Sequence, residues 1–279
     1  VNINKEDSKL PVSVIMPCFQ CSNTIQKSFD SILCQTILPK EVILIDDAST
    51  DSTLSKLESI KKKYNDLISI KVYSLSENGG PATARNMGWN NADQPYLAFL
   101  DADDAWHPKK LEIQMQFMTK DPSVVLSGHK WIVIKKKFGP EKIKNIDPKV
   151  KSISKTRILF SNCFSTPTVI LKRNLNFRFQ EKKRYSEDYL LWMEIIMSGY
   201  KAIFLPINLT FLFKKAYGEN GLSSRLWQME KEELKNYIYL FRDKKRYLSI
   251  AVFFMVVSWF KFIKRIIVCS LRKLQLFSD

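Results

Sequence analysis

The stretch Tyr96–Pro108, YLAFLDADDAWHP, joins an apolar, strand-like run to three carboxylates, Asp101, Asp103 and Asp104. Carboxylates crowded at the end of a buried strand repel one another, so a compensating cation is expected there. Hard oxygen ligands select Mg2+ or Mn2+ over zinc, and an ion of that kind commonly holds a diphosphate. A structural use is the alternative: Asp103 or Asp104 caps the helix opening at Pro108, with proline in its favoured first position. Capping needs one carboxylate, however, and this junction supplies three.

The elements that must position this junction are legible in the first half of the chain. Strand runs are expected at Val12–Met16, Glu41–Ile45, Ile68–Tyr73 and Tyr96–Leu100. Between them Ile25, Phe29, Ile32 and Leu33, and then Leu54, Leu57 and Tyr64, recur at helical spacing. Strands alternating with crossover helices describe a doubly wound parallel sheet, which binds ligands beyond the carboxyl ends of its strands. Polar residues gather at those ends: Pro17–Asn23, Asp46 with Asp47, Asn78–Arg85, and the Asp cluster. Four strand ends are therefore expected to converge on one pocket.

The second half is less regular. Lys135–Lys155 is basic and carries Gly139, Pro140 and Pro148, as a surface excursion does. A strand is expected at Thr168–Leu171, a helix over Glu187–Met197 closed by Gly199, and one or two strands over Ala202–Phe213. At 279 residues the chain is one α/β domain or one with an appendage, and its net charge of +16 favours anionic partners. Five cysteines and no signal-peptide pattern point to a reducing compartment without a disulfide framework. Cys18 and Cys21 make a Cys-x-x-Cys at a strand-to-helix junction, whose redox reading leaves the Asp and Gly motifs without a purpose. Histidine occurs only at His107 and His129, so a structural zinc site is not expected.

Near the C-terminus, Tyr247–Phe260 carries no charge, yet as a helix its span of ~21 Å falls short of the ~30 Å hydrocarbon core. Lys261, Lys264, Arg265 and Arg272 share one helical face and Phe262, Ile263, Ile266 and Ile267 lie mostly elsewhere, the pattern of an interfacial helix on anionic lipid. The competing reading is a helix packed on the catalytic domain, or an oligomer interface, with a basic solvated edge.

VSVIMPCFQ, EVILIDDASTDST, ENGGPATARNMG, YLAFLDADD and SED follow in that order, and with this set the chain resembles the inverting family 2 glycosyltransferases. The resemblance runs from about Val12 to Phe213. It implies the GT-A fold, a Rossmann-like α/β domain with a mostly parallel sheet flanked by helices, followed here by the amphipathic helical tail. The segment Gly221–Leu234, GLSSRLWQMEKEEL, is similar to bacterial members that build lipopolysaccharide, O-antigen or capsule glycans.

Residue by residue, the resemblance implies that Pro17 and Phe19 line the nucleotide site and that Asp47, beside Asp46, accepts a hydrogen bond from a uracil-type base. Many members carry Tyr-Asn where this chain has Phe19 and Gln20, which alters base contacts there. Gly79 and Gly80 permit close backbone approach, and Arg85 reaches phosphate or sugar with a planar fork. Asp101, Ala102 and Asp103 border the nucleotide sugar, with the metal, Mn2+ or Mg2+, mainly on Asp103. Asp188 is the implied catalytic base, with Glu187 and Trp106 on the acceptor side. Taken singly these residues have plainer uses: Asp46 and Asp47 as turn and cap before the helix at Ser52, Arg85 as a solvated helix residue, Ser186–Asp188 as a helix opening, Trp106 as core.

The resulting expectation is a GT-A catalytic domain over residues 1–215, divided into a nucleotide-sugar half (about 10–105) and an acceptor-side half (106–215), with a helical, membrane-associating tail over 216–279. It would transfer sugar from a UDP-sugar to a hydroxyl of a lipid-linked or lipopolysaccharide-type glycan, on the cytoplasmic face of a bacterial inner membrane, without nucleic acid. Two alternatives stand beside it. One is a polyprenyl-phosphate sugar synthase, whose phosphate acceptor needs little help from Asp188; the other is a basic membrane- or nucleic-acid-binding module whose acidic cluster is structural.

Overall fold

The computed structural model describes residues 9–134, 149–213, 225–242 and 248–275. Most of the expected excursion Lys135–Lys155 lies outside them, as do 221–224 of the Gly221–Leu234 segment, Tyr247 and the Arg272 side chain.

Four parallel strands, β1 (Leu10–Cys18), β2 (Pro39–Asp46), β3 (Ser69–Ser74) and β4 (Tyr96–Phe99), form the first half of the sheet in the order β3-β2-β1-β4. Their near-continuous apolar runs follow from burial on both faces. On one face Val12, Val14, Met16, Val42 and Leu44 pack against α1 (Ile25–Leu33), α2 (Thr53–Tyr64) and α4 (Lys110–Lys120). On the other, Ile15, Ile43, Ile45, Leu97 and Phe99 pack against α3 (Gly80–Asn90) and α6 (Glu187–Met197), with the short α5 (Lys155–Phe160) lying against α6.

Beyond β4 the sheet changes direction. Strand β8 (Ile170–Lys172) pairs antiparallel with β4, Tyr96 against Lys172 and Ala98 against Ile170. The residues just before β8, a 3-10 turn at Thr166–Thr168, consequently sit at the carboxyl edge where the acidic junction begins. The order continues through β6 (Val124–Val133) and β9 (Lys201–Leu212) to β5 (Asp104–Trp106), with β7 (Lys151–Ser152) beside β9. Strands β5 and β6 were not anticipated. The run VVLSGHKWIV is interrupted by Gly128, His129 and Lys130, and β5 starts on a carboxylate. The region Ala202–Phe213 forms a single strand although Pro206 lacks a donor, because the pairing with β6 shifts register at His129–Trp131 and absorbs it.

The C-terminal helices are part of this body. Tyr237 and Phe241 of α7 (Leu226–Phe241), with Ala251 and Phe254 of α8 (Leu248–Gln275), belong to the same core as Trp192 and Phe99. Buried Glu230 and Glu233 of α7 receive Arg265 at 2.9 and 3.1 Å, and Glu233 receives Lys261 at 2.8 Å. The basic face expected to meet lipid is therefore not assembled as such: Lys261 and Arg265 turn inward, because two buried carboxylates require cations more than solvent does.

Gly88 shows how closely α3 lies on the sheet, since a Cβ there would stand 2.5 Å from Ile15 Cγ2 and 2.9 Å from Ile45 Cδ1. Gly88→Ala gains about 1 kcal/mol of helix propensity, but over-packing against buried β-branched side chains costs roughly 1–3 kcal/mol. A net loss of stability is expected, read as a lower urea midpoint with unchanged m value.

Candidate active site

The sheet order brings three strand ends side by side. Register places Cys18 of β1 against Asp46 of β2, and Leu100 continues β4 by donating its N–H to Ile15 O. Phe19, half exposed, stands at the edge of this opening, where its ring is free to stack on a planar group. Asp46 is buried and accepts from Ser49 N and Ser74 Oγ at 3.3 and 3.2 Å. Asp47 accepts from Gly79 N at 2.7 Å, Gly80 N at 2.9 Å and Asn78 Nδ2 at 3.1 Å. Burial pushes its pKa up against the pull of those two N–H groups. Asp47 thus ties β2 to the start of α3, while the cap before α2 comes from Asp51, whose Oδ1 receives Thr53 N at 2.9 Å. Gly80 has φ +81, the left-handed region that favours glycine, so the turn that carries these N–H groups depends on it.

Arg85 does not project toward solvent. Its guanidinium is buried, donating through Nη2 to Asp101 and through Nη1 to Glu187, each at 2.8 Å. One cation therefore spans the acidic junction after β4 and the first residue of α6. Asp104 is drawn into β5 opposite Leu212, and Asp103 is left partly exposed at the strand end. The repulsion inferred from three adjacent carboxylates is thus relieved in part by the protein itself. No group of three metal-ligating side chains stands together among the described residues. Carboxylate oxygens at Asp103 and Asp101 are a donor type that suits a hard divalent ion, but on their own they do not make an all-protein cage.

Asp188 follows Glu187 in the first turn of α6. Its Oδ1 receives Tyr189 N at 2.7 Å and its Oδ2 receives Thr166 Oγ1 at 3.1 Å. Burial first, and the neighbouring Glu187 second, raise its pKa from 3.8 to about 7, against the opposing pull of Arg85. A carboxylate poised near neutrality can take a proton and give it up again. The loop that presents it is strained: Ser186 has φ 53, a left-handed conformation uncommon for a residue with a Cβ. Asn236 of α7 steadies that loop by donating from Nδ2 to Ser186 O at 2.9 Å.

Two expectations are corrected by these positions. Trp106, assigned to the acceptor side, is fully buried with Nε1 donating to Pro167 O at 2.8 Å and Lys110 Nζ 3.8 Å from its ring centroid, so its faces cannot reach a sugar. Arg85, assigned to phosphate or sugar, is committed to Asp101 and Glu187. Cys18 and Cys21 are free, buried thiols in the sheet's packing. Sequence reasoning missed Thr166, Arg184 and Asn236. Arg184 is exposed over the Gly80 turn, its Nη2 donating to Asn78 Oδ1 at 2.7 Å. None of the three sits in a motif; each is found only through the partner it touches.

A model of the family described as Glycosyl transferase family 2 matches residues 13–179, which include every strand-end residue above and stop short of Glu187 and Asp188. Over 190 residues the chain is 35% identical to an uncharacterized glycosyltransferase of Rickettsia felis, covering 66% of this chain and 30% of that protein. The chain thus corresponds to less than a third of that relative's length. It is 33% identical over 191 residues to the UDP-Glc:alpha-D-GlcNAc-diphosphoundecaprenol beta-1,3-glucosyltransferase WfgD of Escherichia coli, covering 66% of this chain and 69% of that one. Among solved structures it is similar to S. aureus TarS 1-349 in complex with UDP-GlcNAc, with TM-score 0.65 and 22% identity over 82% of this chain and 67% of that one. It is also similar to the mannosyltransferase PcManGT from Pyrobaculum calidifontis in complex with GDP-Man and Mn2+, with TM-score 0.66 and 20% identity over 91% of this chain and 74% of that one. At those identities the likeness speaks to the fold, and the expected GT-A architecture is the one observed.

Removing the central cation tests the construction of the site. Arg85→Gln leaves Asp101 and Glu187 without compensation, and a loss on the order of 3 kcal/mol is expected, as for other broken buried pairs. Denaturant unfolding of the variant and the parent protein measures it; equal midpoints would refute the bridge.

Proposed function

Since the chain belongs to glycosyl transferase family 2, we propose that it transfers a sugar from a nucleotide-diphosphate sugar, UDP-linked by preference, to a hydroxyl of a lipid-linked or lipopolysaccharide-type glycan with inversion at the anomeric carbon. The observation that carries this reading is Asp188: a base near neutrality, one residue from Glu187, which Arg85 ties to the acidic junction. A glycosyl hydroxyl needs a base, whereas a phosphate acceptor arrives already ionised, so the polyprenyl-phosphate alternative would leave Asp188 idle. The similarity to WfgD supports a lipid-diphosphate-linked acceptor.

In this reading Phe19 stacks on the base, Pro17, Asp46 and Asp47 shape its pocket, and the Gly79–Gly80 turn, whose N–H groups Asp47 holds, lets the donor lie close to the backbone. The exposed Arg184 offers the anion a cation that Arg85 cannot. Asp103, with Asp101 and Ala102 beside it, would hold Mn2+ or Mg2+, which when bound neutralises the departing diphosphate. Asp188 accepts the acceptor hydroxyl's proton as that oxygen bonds to the anomeric carbon and the bond to the diphosphate breaks on the opposite side. Thr166 and the Tyr189 N–H fix the carboxylate's orientation, and Arg85 and Glu187 set its distance from the donor. A cytoplasmic membrane face suits such an acceptor and the +16 charge. No helix among the described residues is long and apolar enough to cross a membrane.

A base acts only when unprotonated, so kcat/KM is expected to fall about tenfold per pH unit below about pH 7. Asp188→Asn should lose a factor of roughly 10^2 to 10^4 in turnover while binding nucleoside diphosphate normally by calorimetry. Near-normal turnover in that variant would favour the phosphate-acceptor alternative.

The metal assignment has its own test. Asp103→Ala should abolish transfer and weaken Mn2+-dependent nucleoside diphosphate binding while leaving the melting temperature within a few degrees. Full transfer in excess chelator would overturn it.

A further inference from the structure

Helix α8 is apolar on both sides. Its inner side meets α7 and the core through Ala251, Phe254, Ser258 and Phe262. Its outer side, where a surface helix normally carries its charges, presents Phe253, Val256, Trp259, Phe260, Ile263 and Ile267, each more than two-fifths exposed. At about 100° per residue these side chains fill an arc of about 120°. The row from Val252 to Ile267 is ~22 Å long. Trp227, exposed at the start of α7 and 5.9 Å from Trp259, extends the patch sideways. Lys264 stands exposed at its edge, while Lys261 and Arg265 are engaged with α7.

We propose that this outer face of α8 is a membrane-insertion surface, lying flat in the boundary between headgroups and acyl chains and held by buried apolar area, not by a basic face. Three features favour lipid over a second copy of the chain. The arc is wider than the narrow seam by which two helices pair, and a fluid surface covers it whole. Aromatic rings are spread along its length with a cation at the edge, the arrangement that suits an interface. The chain's charge of +16 complements an anionic leaflet, adding attraction at range without supplying the hold. The inward turn of Lys261 and Arg265 thereby changes the character of the tail: the cations build the helix pair and the apolar side meets the membrane. Its purpose rests on the proposed lipid-linked acceptor, but its test does not.

The full chain is sedimented with mixed phosphatidylethanolamine and phosphatidylglycerol vesicles in ~0.5 M salt, where the screening length shrinks to about 4 Å. Wild type is expected to bind. Phe260→Gln with Ile263→Gln should weaken binding by roughly tenfold or more, as should a second pair, Val256→Gln with Ile267→Gln. Lys264→Gln should change it by less than about threefold at this salt. Unchanged melting temperature and nucleoside diphosphate affinity show that the variants fold. Failure of wild type to bind, wild-type binding by both glutamine pairs, or loss of binding with salt alone would overturn the proposal. So would a vesicle-free dimer, seen by light scattering, that the glutamine pairs split into monomers. Vesicle binding without sugar transfer would leave this surface standing and sink the enzymatic reading, and transfer without vesicle binding would do the reverse.

Discussion

A buried guanidinium bonded to two carboxylates from distant parts of the chain is the constraint on which the site depends. Arg85 lies on α3, Asp101 follows β4 and Glu187 opens α6, and all three meet within 2.8 Å contacts. Taking these charges out of water is costly, and the cost is met only while every partner stays in place. The parallel half of the sheet and helix α6 are thereby tied together at this point. Asp188 inherits its surroundings from this arrangement: Glu187 raises its pKa, Arg85 lowers it, and burial decides the balance near neutrality.

The same logic operates one layer further out. Asn236 of α7 holds the Ser186 carbonyl, and Tyr237 donates to Leu159 O at 2.9 Å beside Tyr189. Helix α8 in turn secures α7 through Lys261 and Arg265 on buried Glu230 and Glu233. A segment that reads as an appendage is thus a brace for the strained loop that precedes Asp188. Backbone strain of this kind persists where surrounding contacts over-determine it, and the two C-terminal helices supply those contacts.

The acidic residues divide their work according to what their neighbours require. Asp47 satisfies the opening N–H groups of the Gly79–Gly80 turn, Asp104 enters the sheet, Asp101 compensates Arg85, and Asp103 remains at the strand end. Four carboxylates that look alike in a motif differ because each meets a different set of donors. The capping alternative for this cluster is not what is seen, since α4 opens after Lys109 without a side-chain cap hydrogen bond.

The repeated apolar runs and the polar residues after them were enough to place the parallel half of the sheet, its crossover helices and the polar residues at its strand ends, because these depend on local periodicity. Helix Glu187–Met197 was legible to the residue for the same reason. The ordered motifs pointed to the family, and with it to Asp103 and Asp188. What the sequence alone could not decide was which charges would pair. Arg85 and Glu187 are separated by 102 positions, Lys261 and Glu233 by 28, and Thr166 and Asp188 by 22. Their contacts arise only when β8 runs back along β4 and α7 packs across α6. A helical wheel assigns Lys261 and Arg265 to a face, but it cannot say whether lipid or a buried glutamate lies opposite. Burial makes that decision, since an unpaired charge inside the protein costs more free energy than a solvated one loses by turning inward.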